Sequence, residues 1–303
     1  MMYVVYGGIV AAPIRTIKDD MKITGYRCLR TYRDWGRPVG DVNGFIGSGL
    51  TEVPVVIIET DEGITGVATG SDHGIEQLFP AIEGEDPRGV TALYDRMLAH
   101  VFKAGHAGAT FGGIGTLDAA LWDLKAKAAG EPLWRLLGAG DRFVPGYASG
   151  LDIALSDEEL AAFYQGYADR GFVSAKLKGG LDLDADLRRL GIISEVLGAR
   201  SNNPGLMFDS NESWNLKQAV RYVGALEAHF DLLWVEEPLR RWDAVGHKRL
   251  STAIRAAVAT GENLTGIDQF RPFFDLGAMD IPRTLLASFI VVSISGRQYV
   301  IYQ

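Results

Sequence analysis

Four short apolar runs recur through the middle of the chain, and each ends in charged or amide residues. They are Ser174-Ala-Lys-Leu-Lys178, Leu206-Met-Phe-Asp-Ser-Asn211, Leu233-Trp-Val-Glu-Glu-Pro238 and Ala257-Val-Ala-Thr-Gly-Glu262. Lys178 precedes Asp209 by 31 residues, Asp209 precedes Glu236 by 27, and Glu236 precedes Glu262 by 26. One strand-and-helix unit fills each interval, so polar groups return to the same end of successive strands. A barrel of parallel strands builds an active site in this way.

The same rhythm extends to both sides of this stretch. It predicts strands near 144–149, 173–178, 205–210, 232–237 and 257–262, with helices near 157–170, 184–198, 215–229, 243–256 and 266–276. Such alternation implies a parallel sheet, open or closed. Upstream the pattern differs. Residues 22–68 read as strands, with a hairpin formed by Val53–Thr60, the turn Asp61-Glu-Gly63 and the return Ile64–Ala68. Between them, residues 34–49 form a glycine-rich loop tipped by Trp35, Phe45 and Ile46, read either as a pocket cover or as a plain surface loop. Residues 73–140 read as helices: an amphipathic one over Val90–Phe102, and a strong one over Thr116–Ala129 with Leu117, Leu121, Leu124 and Ala128 on one face. Gly112-Gly-Ile-Gly115 lacks the preceding strand that a dinucleotide fold requires. The expected divisions are an extension over 1–20, an α+β unit over 21–140, a strand-helix unit over 141–281 and a tail over 282–303.

Composition narrows the functional classes. With 303 residues and 47% hydrophobic content, the chain can bury a large core. A formal charge of -8 argues against a general nucleic-acid binder. The single cysteine, Cys28, excludes an intrachain disulfide and a cysteine metal cage, and fits a reducing cytoplasm. Met1 to Ile14 is apolar, but Arg15 and Lys18 follow it rather than precede it, unlike a secretory signal. The run is too short to span a bilayer, no other stretch suggests a membrane segment, and Met21 is an alternative first residue.

The chemistry lies in the strand ends. Side chains two apart share a strand face, so Lys176 and Lys178 point the same way. Paired and buried, such a lysine can lose its proton near neutral pH and serve as a base; two solvated lysines are the plain alternative. Asp209, Glu236 and Glu262 follow apolar runs, where a lone acid is costly. Three carboxylates on neighbouring strands suit a hard cation such as Mg²⁺. Asn211 shares the side of Asp209 and can bind a substrate oxygen or cap a helix, whereas Glu237 alternates to the opposite face. None of the five histidines falls at an expected strand end, and no serine elbow or phosphate loop is present.

In combination and order, Lys176-Leu-Lys178, Asp209-Ser-Asn211, Trp234-Val-Glu-Glu-Pro238 and Thr260-Gly-Glu262 resemble the enolase superfamily. The resemblance is to its mandelate racemase/muconate lactonizing type and the acid-sugar dehydratase branch. Asp118–Lys127 and Pro132–Gly138 add to the match, which covers residues 21–281. It implies an α+β capping domain on a modified (β/α)7β TIM-type barrel. It also implies Mg²⁺ held by Asp209, Glu236 and Glu262, with Lys178 as base and Lys176 offsetting charge on the substrate carboxylate. The shared step is removal of the proton α to a carboxylate. Loss of a β-hydroxyl then makes a dehydratase, and return of the proton on the other face a racemase or epimerase. Residues 34–49 correspond to the substrate-covering loop, the substrate is a small carboxylate such as a sugar acid, and a homo-oligomer is among the expectations.

The resemblance stops after Asp280-Ile281. The family continues with a strand bearing Pro-Asp-x-x-Arg-x-Gly-Gly and two further barrel strands, one carrying a histidine paired to an aspartate. Here no histidine follows His247. A one-base shift of permissible codons turns Arg283–Ser288 into Pro-Asp-Val-Ala-Arg-Val, so a truncated or frame-shifted C-terminal part is expected. The barrel would then be incomplete, with open edges, and the apolar stretch Leu285–Ile294 would add a replacement strand or aggregate. A catalytically silent protein that still binds metal or carboxylate is the third reading, beside dehydratase and racemase.

Overall fold

The computed structural model describes residues 20–104, 108–282, 291–294 and 297–300. The expected extension therefore lies outside the described residues apart from its last position, as does Leu285–Ile290 of the tail.

The first half is a three-stranded antiparallel sheet with helices packed on it. Strands β1 (Ile23–Asp34), β4 (Leu50–Thr60) and β5 (Thr65–Thr69) pair in the order β1-β4-β5, and a small separate hairpin joins β2 (Val39–Asp41) to β3 (Gly44–Ile46). Helices α1 (Ile75–Leu78), α2 (Val90–His100), α3 (Ala109–Ala128) and α4 (Leu133–Leu136) follow. The β4–β5 hairpin turns through Gly63, whose φ of 68° is one that glycine adopts without strain. α3 begins earlier than its apolar pattern suggested and takes in Gly112, Gly113 and Gly115, all buried. Small residues let it lie close to its neighbours. Leu117, Leu121 and Leu124 join Val56, Ile58 and Met97 in one core.

The second half is a strand-helix alternation. Strands β6 (Ala148–Ser149), β7 (Ser174–Lys178), β8 (Gly205–Asp209), β9 (Leu232–Glu236), β10 (Ala257–Thr260) and β11 (Ile281–Pro282) form one parallel sheet in sequential order. Between them run α5 (Asp157–Ala168), α6 (Leu183–Gly198), α7 (Leu216–Glu227), α8 (Ala244–Ser251) and α9 (Gly266–Leu276). Side-chain caps fix several helix starts: Ser156 with Glu159 on α5 and Asn215 with Gln218 on α7 form reciprocal capping boxes. Leu160, Leu177, Leu190, Phe208, Val223 and Val235 belong to the second core, between sheet and helices.

Among the described residues the outermost strands are β6 and β11, and no hydrogen bonds between them close the sheet into a barrel. At the tail, β12 (Val291–Ile294) pairs antiparallel with β13 (Arg297–Val300) as a sheet of its own. That part of the expected replacement strand therefore satisfies its backbone locally rather than on the parallel sheet. Among the described residues, no helix is long and apolar enough to cross a membrane.

The segment expected as a glycine-rich cover is a hairpin, β2–β3, set over the C-terminal end of the parallel strands. Arg37 Nη1 donates to the Leu151 carbonyl at 2.9 Å, Gly40 bridges Asp152 through the backbone, and Asn43 Nδ2 donates to the Asn211 carbonyl at 3.0 Å. Trp35 is anchored below it by a 2.9 Å hydrogen bond to Thr51 Oγ1, while Phe45 and Ile46 stay exposed.

Candidate active site

Register brings the polar strand ends together. Lys178 stands opposite Asp209, Asp209 opposite Glu236, and Glu236 opposite Ala259. Lys176 and Lys178 are 3% and 8% exposed, and Asp209 and Glu236 are 0% exposed. Both lysines point into the same buried space, as strand alternation requires.

These charges are paired. Lys176 Nζ lies 3.0 Å from Asp209 Oδ2 and 2.7 Å from Glu236 Oε1. Lys178 Nζ lies 2.7 Å from the same Asp209 oxygen and 2.9 Å from Asn211 Oδ1. Asp209 Oδ1 accepts from the Asn211 amide at 3.1 Å, and Glu236 Oε2 accepts from Trp234 Nε1 at 3.1 Å. Burial alone would raise the Asp209 carboxyl, but the Lys176 and Lys178 ammonium groups outweigh it and hold the group below the usual carboxylate range. Asn211 is thus a partner of Lys178 and not a helix cap; Asn215 caps α7 instead.

Glu262 lies two residues beyond β10. Burial raises its carboxyl, as do the negative charges of Asp209 and Glu236, against the opposing Lys178 and Lys176. Among the described residues, no group of three or more His, Cys, Asp or Glu side chains is arranged to hold a metal ion. The Lys176 ammonium stands instead between Asp209 and Glu236. The donor chemistry still fits a hard divalent cation. The carboxylates of Asp209 and Glu236 are buried on adjacent strands, Glu262 feels the charge of both, and a cation already bridges two of them.

Glu237 departs from the expected face. The strand ends at Glu236, and Glu237 takes a left-handed φ of 45°, so alternation no longer applies to it. It is buried, accepts from Asn263 Nδ2 at 2.8 Å, and lies 3.5 Å from Asn211 Nδ2. Its carboxyl is pushed up to about 8, first by burial and then by Glu262. Asn211 and Glu212 are also left-handed, with φ of 43° and 61°. Such conformations cost about 1–3 kcal/mol each for ordinary residues and persist only where the surroundings fix them. Here the Glu212 amide donates to the Glu237 carbonyl at 2.7 Å, and the Glu237 amide donates to Ala259 O at 2.8 Å.

Several residues of this region carry no local sequence signal. Glu212 pairs with Arg241 at 2.7 Å and faces Asn263 at 3.4 Å. Asp152, 0% exposed, receives the Tyr164 hydroxyl and the Lys178 amide. Burial pushes its carboxyl up to about 6 against those two hydrogen bonds. His247 is buried beside Phe273, with Nδ1 on the Asp243 carbonyl at 2.8 Å, a structural placement in α8.

Acidic and basic groups thus gather at the C-terminal ends of the parallel strands, under the cap hairpin, the end at which folds with sequential parallel strands and helices place their sites. The family description "Mandelate racemase / muconate lactonizing enzyme, N-terminal domain" matches residues 47–138, and "Enolase C-terminal domain-like" matches residues 159–287. The chain belongs to the enolase superfamily, and within it to the mandelate racemase and muconate lactonizing enzyme type.

Named relatives agree. A 3,6-anhydro-alpha-L-galactonate cycloisomerase of Streptomyces coelicolor is 33% identical over 245 residues, which are 80% of this chain and 64% of the relative. An L-talarate/galactarate dehydratase of Salmonella typhimurium is 34% identical over 249 residues, 75% of this chain and 60% of the relative. The chain thus spans less than two thirds of the length of either. Among solved structures, a Streptomyces coelicolor racemase with bound magnesium superposes with a TM-score of 0.79 at 29% identity, covering 86% of this chain and 75% of that one. The Salmonella typhimurium dehydratase liganded with Mg and L-lyxarohydroxamate gives 0.79 at 26% identity, covering 92% and 74%.

Proposed function

We propose that the site removes the proton α to a carboxylate of a sugar acid and expels the β-hydroxyl as water. The observation that carries this is the buried array of Lys176, Lys178, Asp209 and Glu236 at adjacent strand ends. The named relatives add dehydratases of acid sugars, and Mg-bound neighbours share the fold.

In this reading Asp209, Glu236 and Glu262 would hold Mg²⁺, which would supply Lewis-acid stabilisation of the negative charge that builds up on the substrate carboxylate. Lys178 is the base that takes the α-proton. The C–H electron pair moves into the carboxylate to give an enediolate. Asp209 and Asn211, 2.7 and 2.9 Å from Lys178 Nζ, hold the resulting ammonium in place. Lys176 pairs with the substrate carboxylate and offsets its growing charge. The electron pair then returns to form the C=C bond as the β C–O bond breaks; the Lys178 ammonium gives the abstracted proton to the leaving hydroxyl, which departs as water and leaves Lys178 ready for the next turnover. The enol product tautomerises to a 2-keto-3-deoxy acid. The β2–β3 hairpin over the strand ends limits water access.

The test is incubation with Mg²⁺ and a panel of aldonic and aldaric acids, with detection of 2-keto-3-deoxy products. Lys178→Ala is expected to lose about 10³-fold in kcat, within the range for a general base. Retained turnover in that variant removes Lys178 from the mechanism. Deuterium entry at the α-carbon without dehydration would favour epimerisation. No turnover and no exchange with any acid would leave a binding protein.

A further inference from the structure

β7 runs past the end of β6. The two strands pair only Ala148 with Ala175 and Ser149 with Lys176, so on that side the Lys178 amide has outrun its ladder. The chain leaving β6 turns a carboxylate back to it: Asp152 Oδ1 accepts from the Lys178 N–H at 3.2 Å.

Asp152 is itself held from three directions. Tyr164 Oη lies 2.5 Å from Asp152 Oδ2 and 2.7 Å from the Lys176 carbonyl, so its single proton serves one or the other. Arg189 donates to the Asp152 carbonyl at 2.8 Å and to the Leu155 carbonyl at 2.7 Å. The backbone of Asp152 bridges Gly40 of the cap hairpin. A second contact of that hairpin, Asn43 on the Asn211 carbonyl, reaches the residue whose side chain binds Lys178 Nζ. Both routes from the hairpin therefore end on Lys178, one at its amide and one at its ammonium.

We propose that Asp152 is a positioning residue for Lys178: its buried carboxylate replaces the missing ladder partner and ties the cap hairpin to the strand that carries the base. The inference rests on the reading of Lys178 as base, because only a reacting group gains from such placement. A displacement of about 1 Å at a reacting group can cost about 10²-fold in rate. The isosteric amide can keep the arrangement: an Asn Oδ1 accepts from Lys178, its Nδ2 donates to Tyr164 Oη, and the tyrosine proton turns to the Lys176 carbonyl.

The test is residue-resolved amide hydrogen exchange on the full chain, with kinetics on whichever acid the wild type dehydrates. In Asp152→Ala, exchange at Lys178 is expected to rise about tenfold or more, while the Phe208 and Val235 amides keep wild-type rates. Its kcat should fall about 10- to 100-fold with KM within about twofold, and Asp152→Asn should restore both readouts. Unchanged Lys178 exchange, a uniform rise across the sheet, wild-type kcat, or equal damage in the Asn and Ala variants would each overturn the proposal. If Asp152→Ala does not fold, Tyr164→Phe decides: raised Lys178 exchange supports the role and unchanged exchange refutes it. Turnover retained in Lys178→Ala refutes the base assignment separately, and absence of any substrate refutes the proposed function, while the exchange result still decides whether Asp152 holds the strand.

Discussion

Asp118 offers a measurement of the fold's electrostatics away from the site. It sits in α3 at 6% exposure, and its carboxyl is pushed up to about 7 by burial, opposed in part by a hydrogen bond with Trp122. In the unfolded chain the carboxyl returns to its ordinary value near 3.8. Between those values the folded state holds a proton that the unfolded state has released. Stability therefore falls as pH rises through this window and levels off above it. A rise from 3.8 to about 7, at about 1.4 kcal/mol for each tenfold in proton affinity, amounts to about 4 kcal/mol in full. Between about pH 5 and about pH 8 the share lost is about 2–3 kcal/mol. Asp118→Asn removes the titration and keeps an acceptor for Trp122. Urea unfolding of both proteins should show a gap that shifts by about 2–3 kcal/mol in the variant's favour from about pH 5 to about pH 8. A gap that does not change with pH would refute the reasoning and mean that the Asp118 carboxyl reaches water or a cation.

Other outcomes follow from packing and caps. Gly66→Ala is expected to cost about 2 kcal/mol or more by thermal melting, since a Cβ there collides with the Ala120 carbonyl of α3. Ser156→Ala removes the α5 cap and should cost about 1 kcal/mol in urea unfolding. Mg²⁺ at about 100 times its Kd should raise stability by about 2.7 kcal/mol, an effect lost in Asp209→Asn if the strand-end carboxylates are the ligands.

The sequence was informative where structure is local and periodic. Alternating strands and helices, the Val53–Ala68 hairpin and the positions of Lys176, Lys178, Asp209 and Glu236 follow from short-range apolar patterns. Strand alternation then places both lysines in one buried space, because residues two apart share a face. For the same reason it failed at Glu237, where the strand has ended and a left-handed turn brings the carboxyl back toward Asn211 and Asn263.

What the sequence determined by itself is the order of the strands, the family and the chemical types at each strand end. Only the tertiary structure decided what those groups touch. It gave Lys176 and Lys178 carboxylate partners in place of one another, set the cap hairpin on Leu151, Asp152 and Asn211, and brought Asp152 to the Lys178 amide. Among the described residues it also left the sheet open between β6 and β11. The physical reason is range. Periodicity encodes which face of its own element a residue occupies, whereas a contact between residues 26 or 168 positions apart depends on register, turns and packing that no local pattern carries.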